Sequence, residues 1–258
     1  MHLLALLMVM GAGILWASGG IAAQHLFTHS AVSPGSLTTF RMFWTGMIML
    51  ALTCARGYLR RDWQRLCRNR RLLRDLLIYA VLALWAMHYT YYKSIEEGNA
   101  AAATVIQYTC PAMVILYESV RYWKRPGKCE LLTVLMAVGG TFLLVTGGSL
   151  EKLSVPAACI VWGLLSAVFF AAVSIYPKHL LIQFSNEFLL TAGMFLGAGF
   201  SWILFPPISL SDFLTQPVLF DVSWIILFGT ALAFICFNTG LARLKPAEAS
   251  VTATVEPL

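Results

Sequence analysis

Apolar residues dominate this chain in long blocks, separated by short polar or charged stretches. A bilayer core about 30 Å thick asks for about 20 apolar residues per helix, so each block reads as one membrane-spanning helix. The first covers 3–27 and the second 36–55, with Ser33-Pro34-Gly35 as the turn between them. The third (76–95) and fourth (99–119) are joined by Glu96-Glu97-Gly98-Asn99. The fifth (131–147), sixth (155–175), seventh (187–205) and eighth (223–242) follow, and a ninth begins near Ala247 and stops at Leu258. No basic segment precedes the first block, which is far longer than a signal peptide's apolar region, so it reads as a span. The pattern predicts an all-α polytopic membrane protein with eight full spans and the start of a ninth.

The loops carry the charge. Residues 56–75 hold Arg56, Arg60, Arg61, Arg65, Arg68, Arg70, Arg71 and Arg74, and basic residues collect on cytoplasmic loops. Two spans precede this loop, so the N-terminus is expected in the cytoplasm as well. The remaining loops alternate accordingly. Residues 121–130, the segment Tyr176-Pro177-Lys178-His179 and the pair Arg243 and Lys245 fall inside. The Glu96-Glu97 turn and residues 206–221, with Asp212 and Asp221 and no basic residue, fall outside. Only Arg41, Lys93 and Lys152 lie away from the loops assigned to the cytoplasm.

Composition agrees: 59% hydrophobic and 12% charged, where a soluble domain carries about 25% charged residues. The net charge of +6 then reads as cytoplasmic loops, and no nucleic-acid partner is expected; the partners are the lipid bilayer and a small-molecule substrate. Cys54, Cys67, Cys110, Cys129, Cys159 and Cys236 form no CxxC, and each falls in a span or a cytoplasmic loop. They read as reduced thiols, neither a disulfide frame nor a zinc site. No HExxH, GxSxG, HxxxxD or Walker A pattern occurs, and the histidines at 2, 25, 29, 88 and 179 are scattered. A membrane-embedded enzyme lacks its usual motifs, and no cofactor or metal is expected. Nothing in the chain resembles a coiled coil or a large soluble surface from which to read an oligomeric state.

Residues 91–111 recur as 237–257. Pro111 matches Pro257, Thr104 matches Ser250, Val105 matches Val251, Ala103 matches Ala249 and Ile95 matches Leu241. Trp16-Ala17-Ser18 matches Phe170-Ala171-Ala172, and His25-Leu26 matches His179-Leu180. Five spans separate each element from its echo. An odd number of crossings reverses direction, so the two copies run upside down relative to each other. The expected units are 1–150 and 151–258, the second incomplete at its C-terminal end. Inverted repeats are the usual build of secondary transporters, whose halves exchange inward-open and outward-open shapes around a central site.

Polar groups within hydrocarbon are costly and usually face a bundle interior or a wet cavity. Thr104, Gln107 and Pro111 share a face of the fourth span, with Tyr108 beside Gln107. Pro111 lacks the amide that would bond the Gln107 carbonyl, which makes it a candidate hinge and Gln107 and Tyr108 candidate substrate contacts. A simple kink with Gln107 bonded to a neighbouring helix is the other reading. Trp85, His88 and Tyr92 fall on one stripe of the third span, with Tyr89 and Tyr91 alongside. They read either as an aromatic cage for a flat or cationic ligand or as interfacial anchors. His88 titrates near neutrality as a free side chain and is a candidate for proton coupling. Glu256, placed in the membrane opposite Gln107 by the repeat, is a second. Arg41 either snorkels to headgroups or attracts an anionic substrate. Asn238 is expected to face the cavity or Trp16, and Gly193 and Gly197 read as helix packing.

At these residues the chain resembles the EamA-type transporters of the drug/metabolite transporter superfamily. The features carrying the resemblance are Trp16-Ala17-Ser18, Arg41, the Tyr92 to Ala100 turn leading to Pro111, Gly139-Gly140, and Asn238 to Glu256-Pro257. It covers essentially the whole chain. It implies ten spans in two inverted five-span repeats, a place in the cell (inner or plasma) membrane, and export of an amino acid or other small organic solute by alternating access. Trp16, Trp85, His88, Tyr92, Gln107, Tyr108 and Asn238 are the candidate substrate contacts. The chain departs from the family in having Trp123-Lys124-Arg125 where members often carry Gly-Glu. It also ends within the ninth span, which leaves a non-transporting fragment or a regulatory partner of an intact paralogue as the alternative.

Overall fold

The computed structural model describes residues 2–123, 125–147, 153–205, 213, 215–216 and 218–253. Among them, seven helices are long and apolar enough to cross a membrane: His2–His29, Pro34–Ala55, Arg70–Glu97, Ala100–Tyr122, Ala157–Gln183, Asn186–Leu204 and Val218–Leu241. The fifth span is the shorter apolar helix Lys128–Thr146, and Pro246–Ala253 begins the ninth. The predicted order therefore stands. Leu7, Ile14 and Ile21 of the first span and Leu132, Leu135 and Met136 of the fifth point outwards, an apolar surface that suits lipid.

Several boundaries differ from the hydropathy reading. Most of residues 56–75 is helical: Leu59–Arg68 is followed at once by a helix capped by Asn69, whose side chain accepts from the Arg71 and Leu72 amides. Leu59–Arg68 is held by one face, on which Asp62 and Leu66 are buried; hydropathy averages that face with the arginines around it. The sixth span continues to Gln183 because Pro177 sits in the first turn of its last segment, where the missing amide costs nothing.

The fourth span breaks where Pro111 requires. Its first segment ends at Gln107 and the second starts at Cys110, and the Thr109 hydroxyl donates to the Ile106 carbonyl at 2.9 Å within the break. The third span contains a π-helical stretch, Tyr79–Trp85, and the eighth contains one at Leu227–Leu232. The spacing that pairs Ile95 with Leu241 brings these two stretches into near register, so the duplication extends to a backbone irregularity.

The packing carries the same symmetry. The second span lies most extensively on the seventh, its own counterpart; the third packs on the sixth as the eighth packs on the first. In the third–sixth interface the Ser94 hydroxyl donates to the Cys159 carbonyl at 2.8 Å. The repeat spacings carry Ser94 to Gly240 and Cys159 to Ala5, and there a Cβ on Gly240 would lie 2.8 Å from the Ala5 carbonyl oxygen. Gly193 abuts Leu84 and Tyr79, and Gly197 abuts Met42, so both glycines let the seventh span approach the second and third. The described cysteines 54, 67, 110, 159 and 236 are free thiols.

Candidate functional site

Counterparts from the two halves meet at the centre of the bundle. Trp16 meets its counterpart Phe170 edge-on, ring centroids 5.3 Å apart. His88 meets Phe234, its counterpart by the spacing that pairs Ile95 with Leu241, at 5.4 Å. A cavity of about 30 Å³ opens beside them, lined by Trp16, Arg41, His88, Tyr92 and Gln107 among others. That volume admits a water or two and no organic metabolite.

The cavity wall is divided by origin. Its polar groups come from the first half: Arg41, His88, Tyr91, Tyr92 and Gln107. The second half contributes Phe170 and Gly229, backed by Phe234 and Phe237, which pack on Trp16 at 5.3 and 5.1 Å. Counterpart positions make the division plain, since the spacing carries His88 to Phe234, Tyr91 to Phe237 and Gln107 to Ala253. Gly19 and Gly229 allow the first and eighth spans to touch backbone to backbone, since a Cβ on Gly19 would lie 3.1 Å from the Gly229 Cα.

Arg41 is buried, with 5% of its surface exposed, so it does not snorkel. It sits far enough into the second span that the third covers it. One terminal nitrogen, Nη1, donates to the Tyr92 hydroxyl, and the guanidinium lies over the Tyr92 ring, 5.0 Å from its centroid. The other, Nη2, lies 3.3 Å from His88 Nε2. Arginine has no acceptor, so His88 Nε2 accepts and its ring proton sits on Nδ1. Arg41 Nε is buried with no partner. Tyr92 is 1% exposed, which removes it from the interfacial anchors.

Gln107 donates to the Ser166 hydroxyl of the sixth span, and Tyr91 pairs with Thr104 at 2.7 Å. The other sequence candidates lie elsewhere. Trp85 stacks on Tyr89 at 5.5 Å and meets Phe200 edge-on at 4.7 Å, and these rings hold its indole away from the residues that line the cavity. Asn238 donates to Asn186 at 2.9 Å, tying the eighth span to the seventh instead of facing Trp16. Tyr108 is buried in the break of the fourth span, and neither it nor Pro111 is among the residues lining the cavity. Glu256 lies outside the described residues.

On either side of the cavity the two halves are joined by their own set of contacts. At the Arg-rich end, Asp62 accepts from the Ser185 amide at 2.9 Å and its hydroxyl at 2.6 Å, Arg56 pairs with Glu187, and Arg65 donates to the Gln183 carbonyl. At the opposite end, His25 pairs with Asp221 at 2.6 Å and Phe40 stacks on Phe213 at 4.2 Å. None of these pairings is legible locally, because each joins residues more than a hundred positions apart. The echo of His25 in His179 is the one hint that the two ends are related.

Burial pulls the Asp62 carboxyl up, but the hydrogen bonds from Arg61 and Ser185 outweigh it and hold the group below its ordinary value of 3.8. A lowered pKa stabilises the folded form above the ordinary carboxylate range, about 3.9, and that stability is lost as pH falls through the lower folded-state value. Asp62→Ala leaves two donors of Ser185 without an acceptor, a loss of about 1–3 kcal/mol. The Tm of the detergent-solubilised variant at neutral pH is expected to fall by several degrees, and the gap from the parent to narrow only in strong acid.

A family model described as the EamA-like transporter family matches residues 3–146 and again 157–258. This chain belongs to the EamA-like transporter family. A Salmonella typhimurium protein, the uncharacterized inner membrane transporter YicL, is 28% identical over 253 residues, spanning 98% of this chain and 83% of the relative. A crystal structure aligns with a TM-score of 0.71 at 19% identity, covering 98% of this chain and 84% of the other, a likeness of fold. Membership of the EamA-like family makes this chain a multi-pass membrane transporter, and the paired matches accord with the duplication seen in its packing.

Proposed function

We propose that this chain moves a small organic solute through the central cavity by alternating access, the two inverted halves opening first one end and then the other. The observation that carries the proposal is a cavity between the two inverted halves, lined by Arg41, His88, Tyr92 and Gln107, with a separate set of contacts joining the halves on either side of it. Two such sets, broken in turn, are what alternate opening of a carrier needs. The charge bias of the loops supports a cytoplasmic Arg-rich end and a cytoplasmic N-terminus, and the Salmonella relative, an inner membrane transporter by name, supports the inner membrane. Export is the direction that the family resemblance implies. His88 can take part in proton coupling only by giving up its bond from Arg41, since protonation at Nε2 removes the acceptor.

The test is exchange in proteoliposomes. Vesicles preloaded with one solute from a panel of organic acids, amino acids, amines and neutral metabolites are expected to show counterflow of the same labelled solute, saturably, for at least one class. Folded protein that exchanges none of the panel overturns the proposal.

A further inference from the structure

We infer that the ligand of the central site, which enters as the two halves part and widen the cavity, is an organic monoanion, a carboxylate on an apolar planar body, and not a zwitterionic amino acid or an amine. This deepens the transporter reading and rests on it for movement, though not for binding. Among the described residues Arg41 has no carboxylate within ion-pair reach, and the residues that line the cavity include no Asp or Glu. Its two hydrogen-bond partners, Tyr92 and His88, are neutral groups. Taking a guanidinium out of water without a counter-ion is costly even after relaxation. The Tyr92 ring offsets part of that cost through its π face, but Nε still has no acceptor.

A carboxylate supplies what is missing. It brings a full negative charge to the guanidinium and an acceptor for Nε, the one Arg41 donor nitrogen this site leaves without a partner. The rest of the ligand meets different chemistry: Trp16 and Phe170 line the same cavity, and Phe234 and Phe237 stand behind Trp16. Polar groups from the first half beside rings from both halves suit a molecule with a charged head and an apolar body. An ammonium would find no opposite charge among the residues that line the cavity and would lie beside a fixed cation. That counts against both amines and amino acids, although the rings alone would accept a cation.

The experiment uses the full chain in detergent and in proteoliposomes with four matched probes: phenylacetate, phenylacetamide, phenethylamine and phenylalanine. Phenylacetate is expected to raise the Tm saturably, and the other three to leave it unchanged. Arg41→Met is expected to weaken phenylacetate binding at least about thirtyfold, the usual scale for removing one partner of a buried charge pair. Arg41→Lys, which keeps the charge, is expected to retain part of it. The probe comparison on the unaltered protein holds even if Arg41→Met fails to fold. Stabilisation by phenylacetamide, phenethylamine or phenylalanine equal to that by phenylacetate overturns the inference. So does binding of phenylacetate that survives Arg41→Met. Phenylacetate that binds but is never exchanged supports the site and removes the transport reading. Exchange of amines or amino acids but not phenylacetate keeps transport and removes this inference.

Discussion

Gly240→Val is expected to lower the Tm of the detergent-solubilised protein by on the order of 10 °C, from a loss of about 3 kcal/mol at the upper end of the overpacking range. Gly240 sits where the eighth span crosses the first. A Cβ there would lie 2.5 Å from Val9 Cγ2 and 2.8 Å from the Ala5 carbonyl oxygen. The second contact is backbone, so a rotamer change in a neighbour cannot relieve it. The sister interface solves the same crossing the other way. There the small residue is Gly163 on the sixth span, whose Cβ would lie 3.1 Å from the Ser94 hydroxyl. Val9 with Gly240, and Gly163 with Ser94, are the same crossing with its bulk exchanged between the partners. In a double-mutant cycle, Val9→Ala and Gly240→Ala should couple by about 0.5–3 kcal/mol, the glycine change being milder once the valine methyls are gone. Gly139→Ala is the control, because nothing lies within 4 Å of a Cβ there; its Tm should hold or rise slightly. A Gly240→Val protein as stable as its parent would show that the two halves do not pack as described.

The spans, their order and the duplication are written in long apolar runs and in an echo at fixed spacing, signals that survive without tertiary context. Arg41 stood out for the same reason, as a charge inside such a run. What escaped depends on partners distant in sequence. Ser166, Asn186 and Ser185 are ordinary small polar residues until the fold brings Gln107, Asn238 and Asp62 to them. The π-helical stretches have no sequence signal of their own. The one in the eighth span includes Gly229, which touches Gly19. The helix in the Arg-rich segment was hidden because Asp62 and Leu66 make a buried face too narrow for an average to reveal.

Bridging the halves at either end is expected to stop flux entirely while leaving the ligand site intact. At the Arg-rich end the pair is Asp62→Cys with Ser185→Cys, whose side-chain oxygens are 2.6 Å apart. At the other it is His25→Cys with Asp221→Cys, where the ring nitrogen and carboxylate oxygen are 2.6 Å apart. A short bis-methanethiosulfonate, which forms a mixed disulfide with each cysteine and releases methanesulfinate, spans both more readily than a direct disulfide, which needs Cβ atoms about 3.5–4.5 Å apart. Cys54 and Cys67 are exposed and would be changed to serine together with Cys129. Each double-cysteine protein is expected to exchange solute before bridging, to fall to the protein-free background after it, and to recover on reduction, while the single-cysteine proteins are unaffected. Because only one end is held, the other can still open, so a ligand should continue to raise the Tm of the bridged protein. That separates a locked carrier from a damaged one. If alternating access is the mechanism, both bridges must act alike, since each denies the cycle one of its two openings. Full exchange through a quantitatively bridged protein at either end would remove that end from the gating scheme, and full exchange at both would remove alternating access itself.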